Sequence, residues 1–124
     1  KGSVPLNRFR VGDVELNLTV TADGKTALHT KVNVNDSFQA FALPELGRDR
    51  WRHLTITVDV STTTARVWVA FDGVPVLEDQ PLRATIAPGK EDGLLTAGVF
   101  YITSDDGPWT VLVDNVVVRP APLP

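Results

Sequence analysis

From Val14 onward the chain alternates. Val14, Leu16, Leu18 and Val20 are separated by Glu15, Asn17 and Thr19, which predicts a strand with one apolar and one wet face. Ala22-Asp23-Gly24-Lys25 follows, and Asp-Gly between alternating runs signals a hairpin because both central positions of a type I′ turn take positive φ. The return strand is predicted over Thr26–Val34 and another over Ser37–Leu43, ahead of a Pro44-Glu45-Leu46-Gly47 loop. Leu54, Ile56, Val58 and Val60 then alternate with Thr55, Thr57 and Asp59, with His53 in phase with this wet set. Ser61–Thr64 turns the chain, and Ala65, Val67, Val69 and Phe71 alternate with Arg66, Trp68 and Ala70 on the return. Asp72-Gly73 is a second tight turn into a short strand over Val74–Leu77, with a further short strand over Leu82–Ile86. Ala87–Gly93 is a loop, and Leu94–Thr103 and Trp109–Arg119 are predicted as two long strands joined by Ser104–Pro108. No window carries a helical apolar stripe.

About nine short strands with turns between them predict an all-β, antiparallel sandwich or barrel. Residues 1–119 make the domain. The tail Pro120-Ala121-Pro122-Leu123-Pro124 cannot enter a central strand, because its prolines lack amide donors. Composition agrees with the period: eighteen valines and thirteen threonines in 124 residues favour pleated surfaces.

Charge and cysteine narrow the chemistry. Twelve Lys and Arg against fifteen Asp and Glu leave a net charge of −3, which disfavours nucleic acid as a partner. No apolar run reaches the ~20 residues of a membrane-spanning helix. The absence of cysteine removes disulfides, cysteine-ligated metals and thiol catalysis, and leaves the compartment open. The chain has no methionine, as expected of a processed form or a piece of something longer.

The segment Gly47-Arg48-Asp49-Arg50-Trp51-Arg52-His53-Leu54-Thr55-Ile56-Thr57-Val58-Asp59, followed by Ala65-Arg66-Val67-Trp68-Val69 and Asp72-Gly73, resembles the central hairpin of laminin-G-like domains and the wider concanavalin A-like lectin/glucanase superfamily. Val113-Asp114-Asn115-Val116-Val117-Val118 is similar to the last strand of many bacterial extracellular members. The resemblance spans roughly Val14–Arg119. It implies a jelly-roll of two antiparallel sheets and a secreted, cell-surface or periplasmic bacterial setting. It also implies that strands pairing with the last one are missing at the N-terminus, since only Lys1–Val11 precedes the first hairpin, so that the missing N-terminal segment or a neighbouring module becomes a partner.

Catalysis is not expected. Glucanases of the superfamily carry Glu-x-Asp-x-x-Glu or similar, and no such motif exists here. Asp13 and Glu15 alone have the i, i+2 spacing of a shared strand face, and the bland reading is a wet strand start. The imidazoles are His29 and His53, with no Gly-x-Ser-x-Gly elbow, and His53 reads as a cross-strand pairing residue. Calcium candidates are Asp36 beside Asn35, Asp105 with Asp106, and Asp114 beside Asn115, weighed against the turn-forming role of loop Asp and Asn. Asp114 stands out, because an acid buried in a valine-rich strand needs a partner or a cation. For carbohydrate, the candidates are Trp68, Tyr101 and Arg66: a ring out of phase with Val67 and Val69, a charged neighbour on its face, and a second ring. Trp51 and Trp109 are expected to plug the ends of the sandwich. The expected function is a non-catalytic module that recognises carbohydrate. The rival readings are a structural or interaction domain that packs against the rest of a larger polypeptide, and the accessory part of a glycan-active enzyme.

Overall fold

The structure, a computed structural model, describes residues 3–21, 23–32, 37–85, 93–98, 110–119 and 124. Over these the chain is all-β. The strands are β1 (Ser3–Pro5), β2 (Asn7–Val11), β3 (Val14–Thr21), β4 (Thr26–Val32), β5 (Ser37–Leu43), β6 (Leu54–Asp59), β7 (Thr64–Phe71), β8 (Val74–Thr85) and β9 (Gly93–Ala97). They form two antiparallel sheets. The larger runs β5-β4-β3-β2-β9 with β1 also on β3, and the smaller runs β6-β7-β8.

The alternation read from the sequence is the packing. Leu16, Leu18 and Leu28 of the larger sheet and Ala65, Val67, Val69 and Phe71 of the smaller one are buried in one core. Glu15, Asn17, Arg66 and Trp68, one step out of phase, are not. Burying such aliphatic side chains is worth ~1.5–3 kcal/mol each, which is why the register is fixed: a one-residue slip would turn the whole apolar set to water.

Four parts of the sequence reading need correction. Ser3–Val11, to which the pattern assigned no strand, carries β1 and β2, and both pair with β3. Between them, at Leu6–Asn7, the ladder breaks, and the Asn7 side chain takes over: its Oδ1 accepts the Leu18 amide at 2.8 Å inside the core. Val74–Leu77 and the described part of Leu82–Ile86 are not two strands but parts of one twelve-residue β8, which ends at Thr85 and faces an eight-residue β7. Bulges absorb the extra residues, one of them around Asp79 at φ 50°, and each bulge resets the apolar phase.

The third correction concerns Trp109–Arg119. Residues 110–119 belong to no strand, because among the described residues no backbone pairs with them, and valine content alone cannot make a ladder. Fourth, the strand predicted over Leu94–Thr103 is seen as β9, which gives way to a bend at Gly98 with φ 101°. The rest of that run lies outside the described residues. No helix among the described residues is long and apolar enough to cross a membrane.

Candidate functional site

The two flanks of the sandwich differ. On one, Gln39 of β5 reaches across to β8, where its Nε2 donates to the Pro81 carbonyl at 3.1 Å and its Oε1 accepts the Arg83 amide at 3.0 Å. A side-chain amide here imitates a strand's backbone and ties the sheets together. On the other flank, β6 and β9 are the outer strands of their sheets, and among the described residues no strand joins them. Between them opens a cleft of about 2000 Å³, lined by Leu6, Phe9, Ile56, Val58, Leu95 and the 110–119 segment among others.

This open flank is apolar. Leu54, Ile56 and Val58 of β6 point inward yet remain only half-buried. Leu94 and Leu95 of β9 are exposed, as are Leu112, Val113, Val116, Val117 and Val118, the last two at 71%. Of these, Leu95, Leu112, Val113, Val116, Val117 and Val118 line the cleft.

One end of the cleft is shaped by the loop between β5 and β6. Arg52 Nε donates to the Leu46 carbonyl at 2.9 Å, and its guanidinium pairs with Asp72. Asp72 also accepts the His53 amide at 2.9 Å, while its own amide donates to the His53 carbonyl at 2.7 Å. The His53 amide bond, then Arg52, hold the Asp72 carboxyl below its ordinary range. His53 is thus fixed through its backbone just before β6 and is not a cross-strand side-chain pair. The loop holds Trp51 outward at 66% exposure, on the cleft rim. It does not plug the sandwich, because its hydrogen-bonded neighbours Arg52 and His53 anchor the loop while the ring itself has no opposing layer.

The outer face of the smaller sheet carries two of the carbohydrate candidates. Trp68 stands opposite Thr57, and Arg66 opposite Asp59. Trp68 is half-buried. Arg66 is committed to the β8 bulge: its Nε pairs with the Asp79 carboxylate and its Nη2 donates to the Asp79 carbonyl at 2.8 Å. The pairing with Asp79 raises its pKa. Trp68 and Arg66 share a face as the sequence phase required. Tyr101 lies outside the described residues, as do Asp36, Asp105, Asp106 and Trp109.

The outer face of the larger sheet carries a polar network that the sequence did not single out. Arg8 donates to Glu15 through Nε at 2.9 Å and Nη2 at 2.6 Å, and Asn17 Nδ2 donates to the other Glu15 oxygen at 2.9 Å. Burial alone would raise the Glu15 pKa, but the hydrogen bonds from Asn17 and Arg8 outweigh it and lower the value. Asp13 sits in the β2–β3 turn, away from this network, so the i, i+2 acid pair shares no strand face. His29, directly opposite Asn17, is half-buried, and loss of solvent lowers its pKa.

Asp114 is exposed and accepts the amide of Asn115 at 2.8 Å. The burial that would have demanded a cation is therefore not present. Among the described residues no group of three His, Cys, Asp or Glu side chains could hold a metal. Comparison of the chain with protein-family models, with curated proteins and with solved structures gives no match.

Proposed function

We propose that the chain is a non-catalytic interaction module whose open flank receives an extended polypeptide segment. The observation that carries this reading is the asymmetry of the sandwich: one flank is stitched by Gln39, and on the other, among the described residues, two strand edges stay unpaired beside an apolar cleft. Proteins that add a partner strand gain main-chain hydrogen bonds at such an edge and specificity from alternate side chains entering apolar pockets. The module belongs to a secreted or cell-surface protein and is a divergent relative of the laminin-G-like and concanavalin A-like sandwiches. Support for that relationship is the order of the Trp51–Asp72 hairpin residues, and the jelly-roll winding comes with it.

The test is a fluorescent peptide of alternating apolar and threonine residues titrated into the chain. Saturable binding that Ile56→Asp abolishes is expected. Absence of binding, together with no uptake of a hydrophobic dye, would overturn the reading.

A second reading has its own observation. Trp68 offers a half-open ring on the outer face of the smaller sheet, with Arg66 fixed beside it by Asp79 and threonine hydroxyls on the adjacent strand. Rings flanked by oriented polar groups suit a sugar's apolar face and hydroxyls. The chain is then a carbohydrate-recognition module, and a glycan array with wild type and Trp68→Ala tests it: binding confined to the wild type supports it, and a blank array sinks it. Accessory membership of a glycan-active enzyme would be a consequence of this second reading.

A further inference from the structure

The two edges of the smaller sheet are built differently. β8 is guarded: it carries Pro75 and Pro81, several register shifts and a positive φ at Asp79, and Gln39 occupies its Pro81 carbonyl and Arg83 amide. Natural sheets use such devices to prevent edge-to-edge association. β6 has none of them. Leu54-Thr55-Ile56-Thr57-Val58-Asp59 pairs with β7 in unbroken register and contains no proline, lysine or bulge. Among the described residues no strand takes up the backbone groups on its outer side.

We propose that this edge pairs with the same edge of a second copy of the chain, antiparallel, about a two-fold axis through Ile56. The inference rests on reading the open flank as an interaction surface and names the occupant of its β6 edge.

Two properties of the strand select this arrangement. Residues directly opposite in an antiparallel pair point to the same side. With Ile56 opposite Ile56 of the second copy, Leu54 meets Val58 and Thr55 meets Thr57, so the apolar set stays inward and the threonines stay outward in both copies. A slip by one residue would set isoleucine against threonine.

Charge chooses the direction. The loop entering β6 carries Arg48, Arg50 and Arg52 against Asp49 and the Asp72 that pairs with Arg52, so this end keeps an excess of positive charge, while the far end of β6 is Asp59. Antiparallel pairing brings the acid of each copy to the basic end of the other, whereas parallel pairing would set like against like. The same contact would extend the smaller sheet to six strands, β8-β7-β6-β6-β7-β8, and set the half-buried inner side chains of the two β6 strands side by side. A closed isologous contact of this kind makes a dimer and goes no further. Six paired residues per copy are few, in the class of transient interfaces under ~1,200 Å². A concentration-dependent monomer–dimer equilibrium is therefore expected.

The experiment is sedimentation equilibrium over a wide concentration range, paired with amide hydrogen exchange of β6. Wild type is expected to self-associate, with protection of β6 amides rising as concentration rises. Asp59→Lys should weaken association several-fold, and the swap of His53→Glu with Asp59→Lys, which sets a carboxylate opposite the new lysine, should regain it; circular dichroism checks that each variant keeps its strands. A monomer at every concentration, a dimer whose β6 amides exchange freely, or a swap that does not regain association would each overturn the proposal. If the chain stays monomeric but still binds the strand peptide, only this inference falls. If both fail, the open-flank reading falls with it.

Discussion

The side-chain carbonyl of Gln39 accepts the backbone amide of Arg83 at 3.0 Å, joining the edge of the larger sheet to the edge of the smaller one. With the Nε2 bond to Pro81, both halves of the amide are used. Gln39→Ala removes both bonds, each worth about 0.5–1.5 kcal/mol net. A loss of roughly 1–3 kcal/mol in urea denaturation is expected, at the upper end if the Arg83 amide is left dry. Gln39→Glu keeps the acceptor for Arg83 but cannot donate to Pro81, so it should fall between wild type and alanine. Equal stability of all three would mean that the clasp is incidental.

Asn7 does for the inside of the larger sheet what Gln39 does for its flank. Its Oδ1 replaces a backbone carbonyl at the break between β1 and β2 and satisfies the buried Leu18 amide. Asn7→Leu adds apolar volume but orphans that amide. A cost of about 1–3 kcal/mol is expected, against the trend that more apolar cores are more stable. Equilibrium unfolding, with exchange of the Leu18 amide as a local probe, checks it.

These two residues show what was legible in the sequence. β3, β6 and β7 were readable because each keeps one apolar phase from end to end, as in Val14, Leu16 and Leu18 or Val67, Val69 and Phe71. β8 was not, because the bulge at Asp79 resets its phase midway. The β2–β3 hairpin left a signal that went unused: Phe9 and Val11 alternate with Arg8 and Arg10 up to Gly12-Asp13, where Gly12 takes φ 53°. Residues 110–119 looked like a strand since composition reports what a segment can do, whereas a ladder also requires a neighbour. At the candidate sites, phase placed Trp68 beside Arg66. It could not place Trp51, whose exposure follows from the Arg52–Asp72 anchor twenty residues apart in sequence.

That anchor makes an ordering testable without an energy scale. Asp72 sits at φ 52° in the Asp72-Gly73 turn, accepts the His53 amide and pairs with Arg52. Asn tolerates positive φ and can still accept from His53, but it loses the ion pair; Ala loses all three. Melting temperature should fall in the order wild type, Asp72→Asn, Asp72→Ala. Trp51 emission should shift with the loop in the alanine variant, read in a Trp68→Phe, Trp109→Phe background. An asparagine variant no better than alanine would refute the turn component.

Acid sensitivity follows from two groups on the outer face of the larger sheet, and both act in the same direction. Burial lowers the pKa of His29 from its ordinary value of 6.5, so as pH falls through 6.5 the unfolded chain takes up this proton first. Stability then declines, until the folded imidazole is protonated as well. Glu15 has a lowered folded pKa despite its burial, through Asn17 and Arg8. Its contribution is fully present above the ordinary value of 4.5 and is lost as pH falls below that and through the folded value. The urea midpoint should therefore drop in two stages on acidification. His29→Gln should flatten the first stage and leave the second, and Glu15→Gln should do the reverse while lowering the midpoint at neutral pH. A first stage that survives His29→Gln would overturn its assignment to this face of the sheet.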